Sequence, residues 1–313
     1  MISNPTINPI EIDNVTKSYG GQAAIGGVTL AVAAGEMFGL IGHNGAGKTT
    51  LFKLMLGLVP ASSGTIRVGG APTFGPQFRQ VRRRIGYLPE SFVTYDNLSG
   101  LEVLRLFADL KKVPRKDCAE VLERVGLGAA AARRVHTYSK GMRQRLGFAQ
   151  VLLGDPDLIF LDEPTNGLDP EGIHDFYAIL RQAQARGATI IITSHILAEI
   201  QQRVDRLAIL DCGLVAAQGT LAELRARTVM PSVIEVSLRD GRGANAAAAL
   251  AHLSGLDAQL GDDGVRIACQ AAQKVAVLGI LAALGDAVLD IVMHEPSLED
   301  LFLGYGGAHV HPH

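Results

Sequence analysis

The segment Gly42-His-Asn-Gly-Ala-Gly-Lys48-Thr49 sets three glycines, a lysine and a hydroxyl within eight residues. This spacing suits a loop that wraps a phosphate chain. Glycine lets the backbone approach a ligand where a side chain would collide or forbid the required φ. The N–H groups of Gly42, Asn44, Gly45, Ala46, Gly47 and Thr50 form the expected cradle, with a helix N-terminus behind them. Lys48 is expected to place its ammonium between the β- and γ-phosphates, and Thr49 to offer its hydroxyl to Mg²⁺.

A second group lies about a hundred residues downstream, where the apolar run Leu158-Ile-Phe-Leu ends in Asp162 and Glu163. Neighbouring strand residues point to opposite faces, but a chain that turns at the strand end can aim both carboxylates at one site. Asp162 would then hold Mg²⁺ or its water shell, and Glu163 would polarise the attacking water as general base.

The stretch Tyr138-Ser-Lys-Gly-Met-Arg-Gln-Arg145 resembles the signature of ABC ATPases, usually LSGGQ. Ser139 and Gly141 are kept, while Tyr138, Lys140 and Met142 depart from it. Ser139 also reads as an ordinary helix N-cap. The resemblance to the ABC ATPase family covers roughly residues 10–220 and implies several further roles. Ser139 and Gly141 would bind the γ-phosphate of ATP held by a second copy, with Asp169 in the connecting loop. Asp169-Pro170 equally reads as a cap with proline at the first helical position. His195 matches the switch histidine at the γ-phosphate, acting with Lys48 and Glu163 in catalysis. Tyr19 matches the aromatic that stacks on adenine. Glu90 stands where the family usually has glutamine near Mg²⁺; a carboxylate there adds negative charge beside a triphosphate.

The elements that must position these residues follow from apolar patterning. Met37–Ile41, Leu158–Leu161 and Ala188–Thr193 read as buried strands alternating with helices, one of them from Lys48 to about Leu58. This predicts an α/β fold, a parallel-sheet core covered on both faces. Residues 91–150 read as a helical insertion within a nucleotide-binding domain spanning 1–219. Residues 220–305 read as a small α+β domain, with strands near Ser232–Leu238, Gly264–Ala268 and Val288–Met293 and a helix over Ala272–Leu284. A capping box at Ser297–Asp300 opens a last helix, and 306–313 is expected to be a flexible tail.

Acids and bases nearly balance over 313 residues, net charge −2, which gives no electrostatic case for a nucleic-acid partner. The cysteines Cys118, Cys212 and Cys269 lie far apart, so neither a disulfide framework nor a zinc site is expected. A metal role for tail residues His309, His311 and His313 is not expected either. No leader pattern and no apolar run near the ~20 residues of a membrane span are visible. A cytoplasmic protein, peripheral on the inner face of the membrane, is expected.

The family resemblance implies a second copy and a multi-span membrane permease as partners. Within the family, GYLPESFVTYDNLSG, HTYSKGMRQRLGFAQ and LDEPTNGLDP resemble the ATPase subunit of the complex that matures nitrous oxide reductase, a copper enzyme. That likeness adds a periplasmic accessory protein. HEPSLEDLF is shared with drug-exporter-type ATPases, so a drug or lipid exporter stays open, as does a soluble ABC ATPase acting on nucleic acid or ribosomes.

Overall fold

The computed structural model describes residues 8–227, 231–239, 256–260 and 264–294. The chain divides into two compact units, Met1–Leu221 and Ala222–His313. The expected Ser297–Asp300 helix start and the 306–313 tail lie outside the described residues.

The first unit opens with β1 (Ile10–Tyr19) and β2 (Gln22–Val32), followed by β3 (Met37–Ile41) and helix α1 (Lys48–Met55). Next come β4 (Ser63–Val68), β5 (Ala71–Pro72), α2 (Phe78–Arg83) and β6 (Ile85–Leu88). The helical stretch holds α3 (Gly100–Lys111), α4 (Asp117–Arg124) and α5 (Lys140–Leu152). The chain then returns through β7 (Leu158–Asp162), α6 (Pro170–Ala185), β8 (Thr189–Ser194), α7 (Leu197–Ile200), β9 (Arg206–Asp211), β10 (Leu214–Gly219) and, across the junction of the units, α8 (Leu221–Arg227).

Two sheets result. One has the order β10-β9-β3-β8-β7-β6, parallel except where the hairpin β9-β10 turns back. Its strands β3, β7 and β8 are buried at every residue. That is why MFGLI and LIFLD read as unbroken apolar runs: helices and the other sheet cover both faces. The second sheet, β2-β1-β4-β5, is antiparallel. It was not visible as a sheet in the sequence, because β1 and β2 bury only alternate stretches and carry register shifts. Between the sheets lies a core in which Phe52 of α1 meets Phe160 of β7 edge to face, ring centres 5.5 Å apart.

Helix α1 stops at Met55, short of the expected Leu58. Gly57 takes φ +61°, and a Cβ there would meet the Thr73 carbonyl oxygen at 2.3 Å, so the chain must leave the helix at that point. In the helical stretch, Ser99 and Glu102 close a reciprocal capping box at the start of α3. The second unit carries the sheet β12-β13-β11-β14, with β11 (Ser232–Leu238), β12 (Asp257–Leu260), β13 (Gly264–Cys269) and β14 (Val288–His294). Helix α9 (Lys274–Ala283) packs Val277 and Leu281 onto Ile234, Val236 and Ile267.

Candidate functional site

Parallel register sets the site. Ile41 of β3 pairs with Ser194 of β8, and Asp162 of β7 pairs with Thr193. The carboxyl ends of three central strands therefore coincide, which is where open α/β sheets hold ligands. After β3 the chain enters the glycine loop. Gly42 is packed so closely that a Cβ would lie 2.5 Å from the Leu210 carbonyl oxygen. Gly47, with φ +106°, caps α1 in a left-handed conformation. Lys48 is buried, and its Nζ donates to the carbonyls of Gly42 at 2.5 Å and His43 at 3.3 Å.

Glu163 has φ +49°, a left-handed turn directly after β7. This turn brings both carboxylates to the same end of the sheet, at a backbone cost of about 1–2 kcal/mol. Glu163 Oε2 faces His195 Nδ1 at 2.7 Å. Its Oε1 is buried, accepts no hydrogen bond and lies 3.5 Å from Lys48 Nζ. Burial raises the Asp162 carboxyl above its ordinary range, opposed by a hydrogen bond from Thr193 and reinforced by the charges of Glu163 and Glu90. A cavity of about 450 Å³ is lined by Asn44, Gly45, Gly47, Lys48, Thr49, Thr50, Glu90, Glu163 and His195, with Ala24 and His43.

The structure gathers most of the expected site residues there. Gly42 and Ala46 sit buried behind the loop, and Asp162 is 2% exposed beneath it. Tyr19 does not line this cavity; it is exposed, with Lys17 Nζ 4.9 Å above its ring. Ser139, Gly141 and Asp169 line a different cavity of about 520 Å³ that shares no residue with the first. There Ser139 Oγ caps α5 by accepting from Met142 N at 3.2 Å, and Asp169 Oδ1 caps α6 by accepting from Gly172 N at 3.0 Å. Both residues act as caps. Two contributors escaped the sequence reading. Thr193 gave no signal inside a β-branched run, and His43 looked like a variable position within the glycine loop.

Comparison with known proteins gives the family. Residues 25–166 match the ABC transporter family. The linearmycin resistance ATP-binding protein LnrL of Bacillus subtilis is 33% identical over 308 residues, covering 95% of this chain and 98% of its own. This chain belongs to the ABC transporter ATP-binding family. It is an ATPase of that family and binds ATP.

Two further matches extend the likeness. The bacitracin transport ATP-binding protein BcrA of Bacillus licheniformis is 37% identical to this ABC ATPase over 299 residues, 94% of this chain and 96% of BcrA. Among solved structures, an ATP-binding subunit of an ABC transporter is 33% identical, with a TM-score of 0.64 over 70% of this chain and 92% of its own. A dimeric ATP-binding cassette in a post-hydrolysis state with ADP and Pi is 25% identical, with a TM-score of 0.63 over 68% and 98% of the two chains. Among the described residues, no helix of this ABC ATPase is long and apolar enough to cross a membrane.

Proposed function

We propose that two copies of this chain clamp ATP and hydrolyse it to drive an exporter-type membrane permease. The observation that carries this reading is the separation of the two cavities. The glycine loop lines one and the Ser139 helix start lines the other. By this reading, a phosphate held by Lys48 meets Ser139 and Gly141 of a second molecule. The dimeric ADP-and-Pi cassette among the similar structures supports such a pairing.

Within each half, the backbone cradle and Lys48 hold the phosphates. Lys48, now bound to loop carbonyls, exchanges them for phosphate oxygens. Glu163 presents Oε1, which accepts no hydrogen bond and is paired only with the Lys48 ammonium, to the attacking water as general base, while His195 holds Oε2 and fixes the carboxylate's direction. Thr49, Asp162 and Glu90 offer a hydroxyl and two carboxylates, the hard oxygen donors Mg²⁺ takes. When bound, the ion supplies neutralising charge across the phosphates. Tyr19 would reach adenine from outside the phosphate cavity. Residues 1–219 would form the motor, 91–150 its permease-facing arm and 220–305 an accessory domain.

The names of the relatives favour export: linearmycin resistance, bacitracin transport, and Nod factor export for a Rhizobium meliloti protein 36% identical over 313 residues. By this reading the chain sits at the cytoplasmic face of the membrane beside its permease. The narrower assignment to nitrous oxide reductase maturation, with its periplasmic accessory protein, is supported only by the loop segments around the motifs.

The test is Glu163→Gln. Turnover is expected to fall at least ~10²-fold, the scale of a lost general base. The variant should also form an ATP-held dimer by light scattering, which Gly141→Asp returns to monomers. Undiminished turnover would remove Glu163 from its role, and a monomer with saturating ATP would defeat the paired clamp. Purification from membranes with a multi-span permease tests the transport role.

A further inference from the structure

The hairpin between β9 and β10 turns through Cys212 and Gly213, with Asp211 paired to Leu214. Both turn residues are left-handed, φ +47° at Cys212 and +77° at Gly213. A two-residue turn of this kind favours Asn, Asp or Gly at its first position. Cysteine instead holds that place at a backbone cost, and an outlier of this sort points toward function.

The turn lies against the glycine loop: Gly213 N donates to the Ala46 carbonyl at 3.0 Å. On the same side, His43 Nε2 lies 2.9 Å from Asp211 Oδ1, and His43 Nδ1 lies 2.8 Å from the Asn44 carbonyl oxygen. A ring nitrogen facing a carbonyl must carry the proton. With Nδ1–H so engaged, the ring is held as in metal-bound histidines, whose second nitrogen donates to a carbonyl and orients the ligating one. A cation takes the place of the proton that Nε2 otherwise shares with Asp211. One ligand atom each from His43, Asp211 and Cys212 lie within 4.8 Å of one another.

We propose that His43, Asp211 and Cys212 form a Zn²⁺ site at the edge of the phosphate-binding loop. One nitrogen, one oxygen and one sulfur suit zinc, leaving a fourth position for water. The site is separate from the Thr49, Asp162 and Glu90 oxygen set. It departs from the expectation of no zinc site, which sequence spacing alone supports: His43 and Asp211 stand 168 residues apart in sequence.

The test uses Co²⁺ as a spectroscopic stand-in on the full chain. Cys118 and Cys269 are buried and Cys212 is exposed, so a thiolate-to-cobalt charge-transfer band reports on Cys212. One Co²⁺ per chain is expected to give that band, and Zn²⁺ to abolish it. Cobalt on the tail histidines gives no sulfur band. Cys212→Asn, which suits the turn, should fold, retain metal-free ATPase activity and lose the band. Asp211→Asn should weaken Zn²⁺ binding at least ~10-fold. Absence of the band in the parent protein, its persistence in Cys212→Asn, or its appearance only at large cobalt excess would overturn the proposal.

Discussion

The hydroxyl of Thr193 donates to Asp162 Oδ1 at 2.6 Å, while its oxygen accepts the Glu163 N–H at 2.9 Å. One fully buried side chain thus holds both acidic residues. Valine has nearly the same shape and neither bond. Thr193→Val is expected to cost about 1–3 kcal/mol in urea unfolding, the price of buried polar groups left unpaired. It should also lower turnover at least tenfold, roughly the scale of a displaced catalytic group. A variant with parental stability would show that Thr193 is only filler.

Burial raises the folded Asp162 carboxyl above its ordinary value. The folded protein therefore takes this proton more readily than the unfolded chain does. The group's stabilising contribution is complete below the unfolded pKa and is lost as pH rises through the folded one. Asp162→Asn removes the charged form. Without nucleotide, the variant is expected to melt above the parent at neutral pH, with the gap narrowing toward about pH 4. It should also lose turnover. Scanning calorimetry across that range checks the sign, and a parent that melts higher at neutral pH contradicts it.

Glu90 lines the glycine-loop cavity, and its charge pushes the Asp162 carboxyl upward. Glu90→Gln removes one negative charge beside the triphosphate. ATP binding measured without divalent cation should tighten about two- to fivefold, the scale of one exposed charge. Unchanged or weaker binding would mean that Glu90 already points away.

Gly42→Ala would press a Cβ against the Leu210 carbonyl oxygen at 2.5 Å and against Ala46 Cβ at 2.9 Å. Neither neighbour is a flexible side-chain tip, so the loop itself must move. ATP affinity by titration calorimetry is expected to fall at least tenfold, about 1.4 kcal/mol or more, with the circular dichroism spectrum retained. Parental affinity would show that the cradle tolerates the shift.

Much of the lining of the glycine-loop cavity was legible because local sequence carries it. Lys48 and Thr49 follow their glycines directly, and Asp162 and Glu163 end a strand apolar enough to be recognised alone. The buried strands β3, β7 and β8 read as such because both their faces are covered. What was hidden depends on chain segments that meet only after folding. Thr193 serves Asp162 through a parallel pairing that no local pattern encodes. The antiparallel sheet of β1, β2 and β4 breaks its alternation at register shifts. Cys212 looked inert until the β9-β10 turn placed it beside His43. The left-handed backbone at Glu163 was likewise unreadable, since glutamate carries no preference for it.

Helix α5 is capped by Ser139 and is pinned twice along its length. Gln144 Nε2 donates to the Pro164 carbonyl at 2.8 Å, next to Glu163 at the end of β7, and Gln150 Nε2 donates to the Tyr87 carbonyl at 2.6 Å, three residues before Glu90. A stiff rod fastened at both places behaves as a rocker arm. In the proposed clamp, a push on its tip from a neighbouring molecule's phosphate would reach the turn that carries Glu163 and the segment that carries Glu90 together.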